Sequence, residues 1–143
     1  MSIHIAESDE QVAACFPVMH ELRPHLKHAA ELVSRVRAQQ PEGYVLAYST
    51  GTDGKPAGCM GFRRQTRLVH GKVIYVDDLV TLADQRSGGH GKALIAWLEE
   101  LARREGIGVI DLDSGTHRTD AHRFYLRERF AITAFHFLKR IKL

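Results

Sequence analysis

The sequence is poor in the features that mark secreted, membrane and metal-organised proteins. Its only two cysteines, Cys15 and Cys59, share no CxxC or metal-ligand spacing, so neither a disulfide scaffold nor a zinc site is favoured. No apolar run approaches the ~20 residues that a membrane-spanning helix requires. The first ten residues lack a basic stretch followed by an apolar one, which argues against a signal peptide. These absences predict a cytoplasmic protein with reduced thiols and no membrane partner.

The sequence also lacks a strong excess of charge of one sign. Its 20 Lys and Arg residues nearly balance its 17 Asp and Glu residues, which gives a formal net charge of +3. The basic residues are scattered rather than gathered in a patch with aromatics, so we expect no nucleic-acid partner; a nucleic-acid-binding module stays as an alternative that steep salt dependence would reveal. The nine histidines include His20, His25 and His28, but Pro24 interrupts their helical spacing. We therefore expect no metal.

The length of 143 residues and 44% apolar composition predict one globular domain over residues 1–143. No repeat, low-complexity tract or long linker divides the chain. Periodicity alone predicts a mixed α/β protein, with Gly58 and Gly61 permitting a bulge or a close backbone approach. Strands are predicted at 2–6, 44–49, 57–66, 72–81, 107–112 and 132–141, and helices at 10–22 (capped by Asp9), 25–39, 92–104 and 119–128.

A glycine-rich loop between a predicted strand and helix is the most informative segment of the chain. Its residues are Arg86, Ser87, Gly88, Gly89, His90, Gly91 and Lys92. Glycines here let several amides converge beside a positive helix N-terminus, which favours a phosphate or pyrophosphate over the ordinary tight turn that is the alternative. The loop is no Walker motif, since Ala93 replaces the magnesium-binding hydroxyl, and no Rossmann fingerprint, since Leu94 replaces the third glycine.

The remaining pattern, Arg-x-x-Gly-x-Gly at Arg86, Gly89 and Gly91, resembles the coenzyme A pyrophosphate loop of the GNAT family of N-acetyltransferases. Three further segments resemble the family in the same order: the acidic strand before the loop, the later strand that ends in Asp-Leu-Asp-Ser-Gly, and a helix carrying a Phe-Tyr pair. These segments are 76–80, 111–115 and 121–125. The resemblance covers about half of the chain, residues 73–137.

The resemblance implies an α/β (α+β) fold, the single-domain acyl-CoA N-acyltransferase fold. Its mixed, mostly antiparallel sheet would have six to seven strands flanked by four helices, and its fourth and fifth strands would run parallel and splay apart. Acetyl-CoA would be the co-substrate. The loop 86–92 would bind its pyrophosphate, with His90 contributing only backbone, and the main chain of Leu79, Val80 and Thr81 would hold the pantetheine arm. The Val80 N–H would stabilise the oxyanion.

Catalytic roles follow from the same resemblance. Tyr125 would protonate the leaving thiolate, against the alternative that it only packs in the core. Asp77 is favoured as the general base and Asp78 as a structural acid or weak substrate-binding residue, against a plain solvated charge pair. Neighbouring strand residues point to opposite faces, so the two carboxylates are expected to diverge. Arg129 stands where the family has glycine, at a cost of about 1 kcal/mol if the helix ends in the left-handed conformation.

Acceptor recognition is expected from Glu21, Arg23 and His25 around Pro24, although these residues equally suit helix capping. The predicted function is acetyl transfer from acetyl-CoA to a primary amine of a small molecule, by direct attack in a ternary complex. Alternatives are a protein or peptide N-acetyltransferase and a non-catalytic coenzyme A sensor. The sequence allows a monomer or a homodimer.

Overall fold

A five-stranded mixed sheet organises the larger part of the chain. The computed structural model describes residues 1–143, which divide into the units Met1–Leu112 and Asp113–Leu143. The sheet has the order β1-β2-β3-β4-β5, antiparallel except for the parallel β4–β5 pair. Its strands are β1 (Ile3–Ile5), β2 (Val45–Thr50), β3 (Pro56–Arg67), β4 (Gly71–Thr81) and β5 (Val109–Leu112). The α/β class and the parallel pair are confirmed, but the predicted six to seven strands are wrong.

Five α-helices are present rather than the predicted four. They are α1 (Asp9–Ala14), α2 (Phe16–Leu22), α3 (Ala29–Gln39), α4 (His90–Glu105) and, in the second unit, α5 (Thr119–Arg127). The predicted helix 10–22 divides at Cys15 because Pro17, in the first turn of α2, has no N–H to donate to an earlier carbonyl. None of the five combines the length and apolarity that crossing a bilayer requires.

The helix starts also differ from the predicted ones. Ser8, not Asp9, caps α1, because its hydroxyl accepts from the Gln11 amide at 3.1 Å while Gln11 Oε1 accepts from the Ser8 amide at 3.0 Å. The α3 helix starts after His28, whose Nδ1 accepts from the Glu31 amide, rather than at His25. In both places a side chain satisfies an amide that the first helical turn leaves without a carbonyl.

Helices cover both faces of the sheet, so its central strands are buried. Helices α1–α3 form one apolar cluster with β2 and β3, to which Val12, Val18, Leu32, Val36, Leu46 and Cys59 belong. The α4 helix covers the other face with Leu94, Ile95 and Leu98 buried, and its Trp97 meets Phe62 edge-on at a 6.0 Å ring separation. The predicted apolar stripe of α4 is therefore confirmed.

The second unit contains α5 and an extended tail. The strand predicted at 132–141 is wrong, because no regular secondary structure follows α5. The alternation of apolar residues there satisfies the pattern of a strand, but the segment forms no ladder with a neighbour. Phe135, Phe137 and Leu138 are accordingly exposed.

The end of α5 carries the only non-glycine residue with positive φ, Arg129 at 68°. The amide of the next residue, Phe130, donates to the Tyr125 carbonyl at 2.9 Å, which closes the helix. A Cβ is disfavoured in this conformation, so Arg129→Gly should raise the free energy of unfolding by about 1 kcal/mol, measured by urea denaturation.

Arg129→Ala is the matched control for this gain, because it removes the charged side chain but keeps the Cβ. It should leave the stability close to that of the wild type. An equal gain from both variants would show that the side chain, not the backbone conformation, is the source.

Candidate active site

A bulge in β4 shapes the centre of the candidate site. Gly61 of β3 pairs with Asp78, but the next residue, Phe62, pairs with Val76, so Asp77 is the extra residue of β4. A β-bulge puts two residues opposite one and disturbs the alternation of side chains. The prediction that the two carboxylates diverge is therefore wrong: both side chains meet groups on the α1–α3 side of the sheet.

Asp77 has one engaged and one unengaged carboxylate oxygen. Its Oδ2 accepts from Arg63 Nε at 3.0 Å, and Oδ1 has no partner. The side chain is 23% exposed. Burial raises the pKa of the Asp77 carboxyl above its ordinary value, and the charge of Arg63 opposes that shift. Asp77 thus has the free oxygen, access and raised basicity that a proton acceptor needs.

Asp78 is instead fully engaged in holding the structure together. Arg23 Nε donates to its Oδ1 at 2.9 Å, and the Tyr44 hydroxyl donates to its Oδ2 at 2.8 Å. Tyr44 reaches this position because Gly61 has no side chain; a Cβ there would overlap the Tyr44 hydroxyl. Burial, followed by the nearby Asp78 charge, raises the pKa of Tyr44 well above its ordinary value, so it remains a donor.

Beyond the bulge, one edge of β4 has no strand beside it. The parallel pairing of β4 with β5 ends at Val76 and Leu112, whereas β4 continues to Thr81. On the other edge β4 remains paired with β3 as far as Gly58 and Thr81. Arg23 donates to the Asp77 carbonyl, and the main-chain groups of residues 78–81 that point away from β3 are left for another partner.

The hydrogen-bond alternation identifies which amides these are. Leu82 N donates to Ala57 O, on the β3 side, at 2.8 Å. Because the direction of the amides alternates along a strand, the N–H groups of Val80 and Asp78 also point to β3. The amides of Leu79 and Thr81 lie on the open edge, which favours Leu79 over Val80 as an oxyanion donor and Thr81 as a contact for an extended ligand.

The glycine-rich loop ends in the uncapped N-terminus of α4. A 3₁₀ turn, Ala83–Gly88, leads to Gly89, whose φ of 78° is the left-handed conformation that glycine adopts without cost. The first amide of α4 with a helical acceptor is that of Ala93, which donates to Gly89 O at 3.0 Å. The amides of residues 89–92 come before it and have no carbonyl of the helix to donate to. No side chain caps them, and the first turn of α4 contains no acidic residue. This arrangement suits a bound anion.

The side chains of the loop differ in their surroundings. Arg86, Ser87 and Lys92 are exposed, so they are free to meet a phosphate. His90 is only 4% exposed, and its Nδ1 lies 2.9 Å from Ser49 Oγ of β2. The prediction that His90 contributes only backbone did not include this contact. The one sequence signal for it is that residue 90 lies four positions before Leu94 and so falls on the buried stripe of α4.

Glu21, Arg23 and His25, at the break after α2, were predicted to bind the acceptor. Glu21 accepts from the Ala83 amide at 3.0 Å and thereby caps the 3₁₀ turn. Arg23 donates to both Asp78 Oδ1 and Asp77 O, yet its side chain is 42% exposed. His25 is exposed. The structure thus brings Arg23 to the Asp78 carboxylate and the Asp77 main-chain carbonyl, while Glu21 takes the capping alternative.

Tyr125 lies on α5 in the second unit. Its ring is buried, with Phe124 and Phe130 edge-on at 5.5 and 5.6 Å. Burial raises the pKa of the Tyr125 phenol, an effect that the charge of Arg118 opposes. The phenol is therefore protonated at neutral pH, as a general acid must be. No three His, Cys, Asp or Glu side chains cluster in a way that suits a metal ion.

Comparisons with known proteins agree with this geometry. The model of the acetyltransferase (GNAT) family matches residues 5–130. The chain is 35% identical over 140 residues to the uncharacterized N-acetyltransferase YhdJ of Bacillus subtilis strain 168, covering 96% of this chain and 98% of that protein. It is 38% identical over 88 residues to the aminoalkylphosphonate N-acetyltransferase of Salmonella typhimurium strain LT2, covering 61% and 57% of the two chains.

A solved structure extends the likeness to the fold. The ribosomal-protein-alanine N-acetyltransferase from Brucella melitensis biovar Abortus 2308 superposes with a TM-score of 0.83 at 18% identity, covering 99% of this chain and 100% of that one. The family model spans nearly the whole chain, and a relative above 30% identity covers it from end to end. The chain therefore belongs to the GNAT family of acetyltransferases and is an acyltransferase.

Proposed function

We propose that the protein transfers the acetyl group of acetyl-CoA to a primary amine of a small molecule, by direct attack in a ternary complex. One observation supports the donor half of this proposal: the unpaired edge of β4 is followed, after the 3₁₀ turn Ala83–Gly88, by the uncapped amides of α4. A ligand with an extended amide-containing arm and a pyrophosphate needs these two features in this order. Acetyl-CoA is such a ligand.

The donor would be held mostly by main chain. The pantetheine arm would pair with the open edge through the Thr81 main chain and the Leu79 carbonyl, and the pyrophosphate would accept hydrogen bonds from the amides of 89–92 with help from Arg86. An N–H on the open edge, that of Leu79, would donate to the thioester oxygen as negative charge develops there.

The acceptor arrives as an ammonium ion, since a primary amine has a pKa of about 10, and it must lose a proton before it attacks. Asp77 Oδ1 would take that proton, directly or through water. The amine nitrogen then bonds to the thioester carbon, the tetrahedral adduct collapses, and the carbon–sulfur bond breaks. Tyr125 would give its proton to the departing thiolate, and the second proton of the attacking nitrogen, released as the amide forms, would return the Tyr125 phenolate to the phenol through water.

Direct attack is favoured over an acyl-enzyme because no thiol of the chain is available as a nucleophile. Cys15 and Cys59 are both fully buried. Burial, followed by the neighbouring Cys15, raises the pKa of the Cys59 thiol well above its ordinary value, so the reactive thiolate does not form.

A thiol-release assay tests the proposal. Purified protein and acetyl-CoA would be incubated with aminoalkylphosphonates, polyamines, amino acids, aminoglycosides and short peptides, with calorimetry of coenzyme A binding in parallel. We expect amine-dependent thiol release with at least one small amine. Release with peptides alone would move the acceptor to the protein class, and coenzyme A binding without turnover on any amine would favour a sensor. No coenzyme A binding would overturn the proposal.

A further inference from the structure

A buried polar pair lies directly beneath the glycine-rich loop. Ser49 of β2 is fully buried and His90 is 4% exposed, the only two buried polar residues of the chain. Their Oγ and Nδ1 atoms are 2.9 Å apart. Buried polar side chains are costly unless they satisfy each other, so this contact ties the first residue of α4 to the centre of the sheet.

The neighbouring backbone is shaped to receive the pair. A Cβ on Gly58 of β3 would lie 2.8 Å from Ser49 Oγ and 3.0 Å from the His90 Cβ, closer than packed atoms tolerate. Glycine at this position therefore makes the room in which Ser49 and His90 meet. The contact therefore depends on residues of three elements, β2, β3 and α4, and lies inside the fold rather than at its surface.

The other edge of the imidazole faces the loop. A Cβ on Gly88 would lie 3.2 Å from His90 Cδ2 and 3.3 Å from Nε2, so the ring supports the Gly88 backbone from below. His90 thus has two parts with different surroundings. Its amide is one of the uncapped donors of α4, and its side chain is anchored in the core.

We propose that the Ser49–His90 pair is a positioning device that fixes the amides of residues 89–92 for the pyrophosphate of the coenzyme. This inference rests on the proposed function. An amide cluster binds an anion well only if its donors already point at it, because ordering a glycine-rich loop on binding reduces affinity. The Ser49–His90 contact would hold the loop in this orientation before the ligand binds. The His90 side chain does not itself need to touch the ligand.

The imidazole does this as a neutral ring. Burial, with a smaller contribution from the N-terminal ammonium, lowers the pKa of His90. The neutral ring can either donate to or accept from the Ser49 hydroxyl, so the pair is satisfied without a counter-ion.

The test compares the variants Ser49→Ala, His90→Ala and His90→Gln with His70→Gln, a control in the exposed turn between β3 and β4. Coenzyme A affinity would be measured by calorimetry, and turnover with acetyl-CoA and with S-acetylpantetheine, which has no pyrophosphate. Ser49→Ala and His90→Ala should each raise the Kd for coenzyme A about tenfold. Ser49→Ala, at a residue that touches no ligand in this proposal, should leave kcat at saturating acetyl-CoA and the KM for S-acetylpantetheine unchanged.

Further variants separate positioning from general damage. The double variant should bind no more weakly than His90→Ala, because both substitutions break one contact. His90→Gln keeps a polar group able to reach Ser49 and should recover part of the affinity. A Kd within twofold of the wild type in Ser49→Ala and His90→Ala overturns the inference, as does an equal loss with S-acetylpantetheine. Failure of the wild type to bind coenzyme A overturns the proposed function and this inference with it.

Discussion

Replacing Tyr125 with phenylalanine is expected to lower kcat by about 10²- to 10⁴-fold, the usual contribution of a general acid or base. The substitution removes a hydroxyl that has no hydrogen-bond partner within the structure, while the ring keeps its contacts with Phe124 and Phe130. The fold should therefore survive. Steady-state thiol release at saturating acetyl-CoA and amine measures the effect, and coenzyme A affinity should stay unchanged.

Tyr48→Phe is the matched control for this experiment. Tyr48 lies on β2 with its ring 5.4 Å from that of His4, and it has no assigned role in the reaction. It should turn over like the wild type. Wild-type kcat in Tyr125→Phe would remove Tyr125 from the mechanism and leave it as a core residue.

The second large effect is expected from Asp77→Asn, which should lower kcat/KM about 10²-fold at neutral pH because an amide cannot take the proton of the ammonium. Asparagine still accepts from Arg63 through its remaining oxygen, so stability should change little.

In the wild type, activity should fall with decreasing pH as the Asp77 carboxylate is protonated. Since burial raises its pKa, this fall should begin at a higher pH than for an ordinary carboxylate. The Asn variant should lose this acid limb.

Asp78→Asn provides the contrast. Both Asp78 oxygens accept hydrogen bonds, from Arg23 and Tyr44, and an amide NH₂ would face one of these donors. We expect a loss of about 1–3 kcal/mol in the free energy of unfolding, the cost of a buried polar group left without its partner. Urea denaturation measures it. Intact turnover in Asp77→Asn together with lost turnover in a folded Asp78→Asn would reverse the two roles.

The glycine-rich turn and the buried face of α4 were predictable because they depend on glycine and on helix periodicity. Gly89 takes the left-handed conformation where the loop was predicted, and Leu94 and Leu98 are buried as their spacing requires. Ser8 and Gln11 form a capping box that the sequence signature Ser-x-x-Gln already contains, although Asp9 was predicted to cap the helix.

The rest depended on tertiary contacts that no local pattern encodes. A single extra residue, Asp77, turned two neighbouring carboxylates to one face, and the register that creates the bulge is a property of the β3–β4 pair. The His90 contact joins residues 41 positions apart. The segment 132–141 has the alternation of a strand, but alternation predicts a strand only if a partner is present to pair with it.

The edge that β4 leaves unpaired has a consequence for how such a protein changes over generations. The donors and acceptors of Leu79 and Thr81 on this edge belong to the peptide backbone, which a substitution leaves in place unless the new residue is proline. Arg23, Asp77 and their neighbours act through side chains, each of which one point mutation can replace. Under the proposed function, single substitutions should therefore change the choice of acceptor more readily than the binding of acetyl-CoA.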